Sequence, residues 1–224
     1  MTCFTRKREC HEVMLFENLR VWRDPVARSG PENMAVDEWL TTQAEEGPIL
    51  RYYDWTGDWV SFGYFQSLAE AKRLFGNEVS YVRRWTGGGI VDHQEDSTYT
   101  LVMPKAEKAT SLRGDEIYCA IHKAVVAALK AAGISCELAA EDSENKSAAC
   151  FQKPVRWDIV AEGKKLAGAG QRRGKWGILH QGSVMGEVDQ LADFLSEKVT
   201  AWEPPQLENL SDRYRSDEWL KRVT

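Results

Sequence analysis

Cys150, in Ser147-Ala-Ala-Cys-Phe151, and Lys165, in Lys164-Lys-Leu-Ala-Gly-Ala-Gly170, could do nucleophilic chemistry together that neither does alone. A free cysteine is most often a small buried apolar group. An isolated thiol titrates near pH ~8.5, and an adjacent lysine or arginine lowers that by about one unit or more, exposing the thiolate at neutral pH. Lys165, Arg84 and Arg172 are the available cations, and His122 and His180 are alternative bases. His122 falls on a helical stretch, where a satisfied or exposed imidazole is commoner. His180 falls in a strand, where it can simply be packed.

The segment around Lys165 supports a geometric expectation. With Glu162-Gly163 as a two-residue turn, Ala161 pairs with Lys164 and Val160 with Lys165. Lys165, Val160, Asp158 and Ala167 then share a face, with Lys165 and Asp158 as diagonal neighbours roughly 7 Å apart at Cβ. A slip of one residue would turn Lys165 to water instead. Gly168 and Gly170 thin the strand beside it and leave room for a ligand.

A second feature is Arg83-Arg-Trp-Thr-Gly-Gly-Gly-Ile-Val-Asp-His93. Three glycines bring no side chain and lose much entropy on folding, so they make sense where the backbone presses close to something else. Exposed N–H groups in such a loop can hold an anion or a polarised carbonyl. The two arginines add fork-shaped donors and fixed charge at its entrance. A wide turn with a solvated arginine pair is the alternative.

These residues need a framework. Met14–Trp22, Val79–Arg84, Ser97–Met103 and Trp176–Val184 read as strands. Ile49–Trp55 and Trp59–Tyr64 read as paired strands around Thr56-Gly57-Asp58. Pro31–Gln43 reads as a helix capped by Ser29 or Gly30, with Pro31 in its first turn. Ser67–Leu74, Asp189–Leu195 and Ser216–Val223 read as short helices. Gly114–Ala132 is the longest, with Ile117, Ile121, Val125, Ala128 and Leu129 on one stripe and Gly133 ending it. Strands and helices mix without strict alternation, which predicts an α+β fold: one mixed, largely antiparallel sheet flanked by helices. Residues 1–12 read as a flexible tail and 13–224 as a single catalytic domain.

Composition narrows the function. The 224 residues carry 29 basic against 34 acidic side chains, a net charge of −5, which argues against nucleic acid as a partner. No apolar stretch approaches the ~20 residues of a membrane span. The N-terminus has no apolar run after its charges, so it does not read as a secretory signal. Cys3, Cys10, Cys119, Cys136 and Cys150 make an odd count without tight pairing, which predicts reduced thiols and a cytoplasmic location. Neither these nor His11, His93, His122 and His180 show the spacing of a zinc site.

Taken together, five segments in order resemble one superfamily, that of lipoate and octanoate protein ligases and transferases, which also holds biotin-protein ligases. Arg83–His93 followed by Thr98-Tyr-Thr100 resembles its signature. Gly163–Gln171 and His180-Gln-Gly-Ser183 are similar to its second and third motifs, and Asn33–Glu38 and Phe62–Gln66 match weaker upstream positions. The match runs from about Glu32 to about Val184. It implies a biotin/lipoate protein ligase catalytic-domain-like fold. Ser147–Phe151 resembles the octanoyltransferase branch, in which the cysteine matching Cys150 carries the acyl group as a thioester and the lysine matching Lys165 lowers its pKa. The resemblance makes Arg84, Thr86, Gly87, Gly88, Gly89, Ile90, Val91, His93, Asp158 and Gly168 the substrate-binding set. Lipoate ligases usually place an asparagine before the aspartate matching Asp158 and use the pair around magnesium and ATP; here that neighbour is Trp157.

The implied reaction moves an octanoyl group from acyl carrier protein to a lysine of a lipoyl domain, such as that of glycine cleavage H protein or a 2-oxoacid dehydrogenase E2. It needs no cofactor. The alternatives are an octanoyl amidotransferase between lipoyl domains, an ATP- and magnesium-dependent lipoate-protein ligase, and a non-catalytic subunit that binds lipoyl domains.

Overall fold

Strand β1 (Phe16–Arg23) begins an eight-stranded sheet in a computed structural model that describes residues 14–140 and 154–222. The expectations for the N-terminal tail, for Cys3 and Cys10, and for Cys150 lie outside the described residues. The other strands of this sheet are β2 (Ile49–Tyr53), β6 (Ser97–Pro104), β7 (Glu137–Leu138), β8 (Ile159–Ala161), β9 (Lys164–Gly174), β10 (Gly177–Val184) and β11 (Ser196–Ala201). Their order is β11-β1-β2-β6-β10-β9-β8-β7. β1 pairs in parallel with β11 and β2, and every other pairing is antiparallel, as the sequence led us to expect.

A second sheet was not foreseen. β3 (Trp59–Phe62) pairs in parallel with β4 (Ser80–Arg83) and antiparallel with β5 (Ile90–Asp92). β2 and β3 are therefore not the hairpin that Thr56-Gly57-Asp58 suggested. Trp55 bridges Arg28 in parallel, its indole N–H donates to Thr98, and its ring stacks on His93 at 4.0 Å. Those contacts carry the chain off the large sheet before β3 begins.

Helices cover the sheets. α1 (Gly30–Gln43) starts at Ser29, where Glu32 closes a capping box with Pro31 in the first turn. α2 (Leu68–Phe75) is capped by the Ser67 hydroxyl. α3 (Gly114–Ala131) buries Ile117, Ile121, Val125, Ala128 and Leu129, the predicted stripe. These join Leu101, Met103, Ile159 and Ile178 in the main core. Each such aliphatic side chain contributes about 1.5–3 kcal/mol when fully buried. α4 (Leu191–Leu195) and α5 (Asp217–Lys221) are shorter than the sequence suggested. No helix among the described residues is long and apolar enough to cross a membrane.

Candidate active site

The β8–β9 hairpin turns where the sequence places it. Glu162 and Gly163 take φ of 49° and 75°, both in the left-handed region, and Ala161 pairs with Lys164 and Val160 with Lys165. Lys165 Nζ then meets Asp158 Oδ2 at 2.7 Å. One detail departs from expectation. A bulge between Ile159 and Val160 pairs Ile159 with Ala167, so Ala167 joins the core rather than the face of Lys165. Gly168 takes the place beside the lysine: a Cβ there would lie 2.6 Å from Lys165 Nζ and 3.2 Å from Asp158 Oδ1. Only glycine leaves the ammonium in that position.

The triple-glycine loop packs across this face. Gly87 N donates to the Gln171 carbonyl at 3.4 Å, Tyr64 N to Thr86 O at 2.8 Å and Gly63 N to Gly89 O at 3.1 Å. The contact is backbone on backbone. A Cβ at Gly170 would stand 2.4 Å from Gly87 O, and one at Gly63 would stand 2.1 Å from Gly88 O. Thr86 reaches down instead, donating to Gln181 Oε1 at 2.6 Å, and Gln181 Nε2 donates to Asp37 Oδ2 at 2.7 Å. Asp37 also accepts from Thr100 and Tyr53 and pairs with Arg51 Nη1 at 2.7 Å. The loop therefore rests on a chain of buried polar groups that ends in a buried ion pair.

The two arginines part company. Arg84 enters the cleft, donating to Gly87 O, Gly89 O and Ser61 Oγ, and burial pushes its guanidinium down to about 10. Arg83 turns the other way. It donates to the carbonyls of Tyr64 and Gln66 on one side and of Trp219, Leu220 and Arg222 on the other. The expected pair of charges at the loop entrance is thus one cleft arginine and one latch for the C-terminal helix.

Behind Arg84, Asp96 Oδ2 meets His93 Nδ1 at 2.8 Å and His93 Nε2 meets Ser61 Oγ at 2.6 Å. That order of acid, imidazole and hydroxyl is also the order of a serine nucleophile chain. Here Ser61 is fully buried and its oxygen accepts from Arg84 Nη1 at 2.7 Å, so the chain holds the guanidinium in place.

Between the hairpin and the loop lies a narrow, partly open cleft with about 40 Å3 of free space. Of the residues singled out from sequence, Arg84, Gly89, Ile90, Val91, His93, Lys165 and Gly168 line it. Thr86, Gly87 and Gly88 form the loop behind that wall, and Asp158 stands behind Lys165. Sequence reading missed Met34, Tyr53, Trp55 and Ser61 on its walls, and Gln181 as a lining group. Cys150 lies outside the described residues. The two described cysteines, Cys119 and Cys136, are buried thiols, and neither lines the cleft.

His122 and His180 are core groups. His122 Nδ1 meets the Trp157 carbonyl at 2.7 Å, and His180 lies between the Tyr99 hydroxyl and the Gln171 amide. Burial pushes His122 down to about 4, only partly opposed by Asp158; burial and then His122 push His180 well below its usual range. Both stay neutral in the fold, while an unfolded imidazole takes a proton near pH ~6.5. Their contribution is whole above that pH and is lost as pH falls from about 6.5 through 4, on the order of 3 kcal/mol for His122 alone. Urea unfolding at pH 7 and at pH 5 should show a markedly less stable protein at pH 5, and His122→Gln should flatten the slope by about one proton. A wild-type stability that is level between those pH values would contradict this assignment.

Comparison with known proteins identifies the family. The model of the lipoyl protein ligase A/B catalytic domain matches residues 29–214. The chain belongs to that family. It is 34% identical over 199 residues to an octanoyltransferase LipM of Brevibacillus brevis, a match covering 80% of this chain and 72% of that one. It is 35% identical over 181 residues to an octanoyltransferase LipM of Carboxydothermus hydrogenoformans, covering 76% and 67%. Among solved structures, protein Ta0514 of Thermoplasma acidophilum, described as a putative lipoate protein ligase, shares the fold with a TM-score of 0.70 over 92% of this chain at 22% identity.

Proposed function

We propose that this protein is an octanoyltransferase of protein lipoylation, working through a thioester on Cys150. The observation that carries the reading is Lys165. Its ammonium is paired with Asp158, only 12% of its side chain is exposed, and it faces a cleft walled by the triple-glycine loop. Both oxygens of Asp158 are committed to Tyr118, Lys165 and the Val155 amide, a wiring that suits holding a lysine better than ligating magnesium. The curated octanoyltransferase relatives support the same reading.

The donor is octanoyl-acyl carrier protein. The Cys150 thiolate, stabilised by Lys165, attacks the thioester carbonyl, and the carrier thiolate leaves and is protonated. Charge that develops on the carbonyl oxygen is met by positive charge and backbone donors beside the cleft. The amine of a lipoyl-domain lysine then attacks the octanoyl-enzyme. An amide forms, its extra proton goes to base, and the Cys150 thiolate is regenerated. The donor thioester is already activated, so ATP is not consumed. The acyl tail lies along Ile90, Val91, Trp55 and Met34. The enzyme acts in the cytoplasm, with the lipoyl domain of glycine cleavage H protein or of a 2-oxoacid dehydrogenase E2 as acceptor.

Intact mass spectrometry after mixing with octanoyl-acyl carrier protein tests this. An octanoyl-sized adduct should form without ATP, be removed by hydroxylamine, and be absent from Cys150→Ala protein. An adduct on Cys150→Ala protein would overturn the role of Cys150. Modification of a lipoyl domain only in the presence of ATP and free octanoate or lipoate would instead establish a ligase.

A further inference from the structure

Helix α3 presents two polar side chains one turn apart, Tyr118 and His122, to the segment that supports Lys165. The Tyr118 hydroxyl donates to Asp158 Oδ1 at 2.6 Å and accepts from the Ala169 amide at 3.0 Å. The other carboxylate oxygen, Asp158 Oδ2, takes Lys165 Nζ at 2.7 Å and the Val155 amide at 2.9 Å. One turn along, His122 holds the carbonyl of Trp157, whose φ of 73° is unusual for a residue with a side chain. The Tyr118 and His122 rings lie 4.0 Å apart. Asp158 is thus gripped from the helix side and offers a single oxygen to the lysine.

We infer that Tyr118 is a positioning residue for Lys165, acting through Asp158: its hydroxyl occupies one carboxylate oxygen so that the ammonium pairs with the other and stays directed at the cleft. This rests on the role proposed for Lys165 above. Without the hydroxyl, Asp158 Oδ1 is left buried and bare. The carboxylate then draws the ammonium onto both oxygens and neutralises it more completely, and less positive charge reaches the thiolate. Among the described residues, the other titratable groups around Tyr118 and Asp158 are His122 on α3, His180 on β10, Tyr99 on β6 and Lys165 on β9. Burial, and then the charge of Asp158, hold the Tyr118 phenol well above its usual range, so it remains a donor throughout neutral pH.

The test is the pH dependence of single-turnover octanoylation by octanoyl-acyl carrier protein, followed by intact mass, in wild-type, Tyr118→Phe and Lys165→Met proteins. Tyr118→Phe should raise the midpoint of the acid limb by about half to one pH unit and slow acylation at pH 7 about 3- to 10-fold, with the donor KM unchanged. A purely structural role would lower the melting temperature without moving that midpoint. If Tyr118→Phe does not fold, 3-fluorotyrosine installed at 118, a stronger acid of nearly the same shape, should move the midpoint down. A wild-type midpoint in the variant tested, with Lys165→Met slowed and its midpoint shifted up, overturns the inference about Tyr118 alone. A Lys165→Met protein that acylates at the wild-type rate and pH midpoint overturns the reading beneath it.

Discussion

Lys165→Met will fold and yet acylate at pH 7 about 10²-fold more slowly than wild type. Methionine keeps most of the aliphatic stem and removes the charge. Asp158 retains the Tyr118 hydroxyl and the Val155 amide, so the buried carboxylate is not stranded. The size of the effect follows from two terms. At pH 7 a thiol with pKa ~8.5 is about 3% thiolate, and one lowered by about two units is roughly three-quarters thiolate, a factor of about 25. The remainder is lost stabilisation of the oxyanion, where a single donor is worth up to about 10²–10³. The ionisation part is recoverable. Raising the pH to about 9 should return much of that 25-fold, because the thiol then ionises unaided. Single-turnover rates against pH check this, and a Lys165→Met profile parallel to wild type would contradict it.

Asp37→Ala will cost about 3–5 kcal/mol of unfolding free energy, the usual loss when one partner of a buried ion pair is removed. Asp37 is fully buried on α1 and serves four donors: Arg51 Nη1, Thr100, Tyr53 and Gln181. Arg51 keeps Asp24 and Asn33, which holds the loss to the lower part of that range. Thr100, Tyr53 and Gln181 each lose a buried acceptor. Gln181 also carries Thr86, so the triple-glycine loop loosens with it. The donor KM should therefore rise in any Asp37→Ala protein that remains folded. Urea unfolding measures the first effect, and a loss under about 1 kcal/mol would place the Arg51 pair outside the fold's main supports.

Turn chemistry made the hairpin legible in the sequence. Glu162-Gly163 is short, one of its residues is glycine, and the alternation on either side fixes which residue opposes which. The bulge was not legible. It depends on Leu166 and Ala167 both facing the core, which is a tertiary preference. The divergence of Arg83 and Arg84 was open to inference, because neighbouring residues at a strand end point to opposite faces and only one could enter the cleft. The glycine loop was recognisable as a place of close approach. What approaches it, the backbone of β9 and Gly63, comes from distant parts of the chain. Trp55, Ser61 and Gln181 reach the cleft from three different strands or strand ends, and no local spacing links them. Asp37 did carry a signal: it lies in a helix segment matching the family and is flanked there by Met34, Ala35 and Val36. Thr56-Gly57-Asp58 misled because its turn residues are sound, with Gly57 at a φ of 82°, while the ring of Trp55 and the Arg28 bridge decide where the chain goes next.

The most direct check on the proposed chemistry is a crystal structure of the octanoyl-enzyme. The acyl tail should lie in the cleft between β9 and the triple-glycine loop, with the Cys150 sulfur within about 4–6 Å of Lys165 Nζ, the range over which one charge acts strongly on another group's ionisation. An octanoyl group bound elsewhere, or a sulfur held on the far side of the sheet from that ammonium, would contradict it.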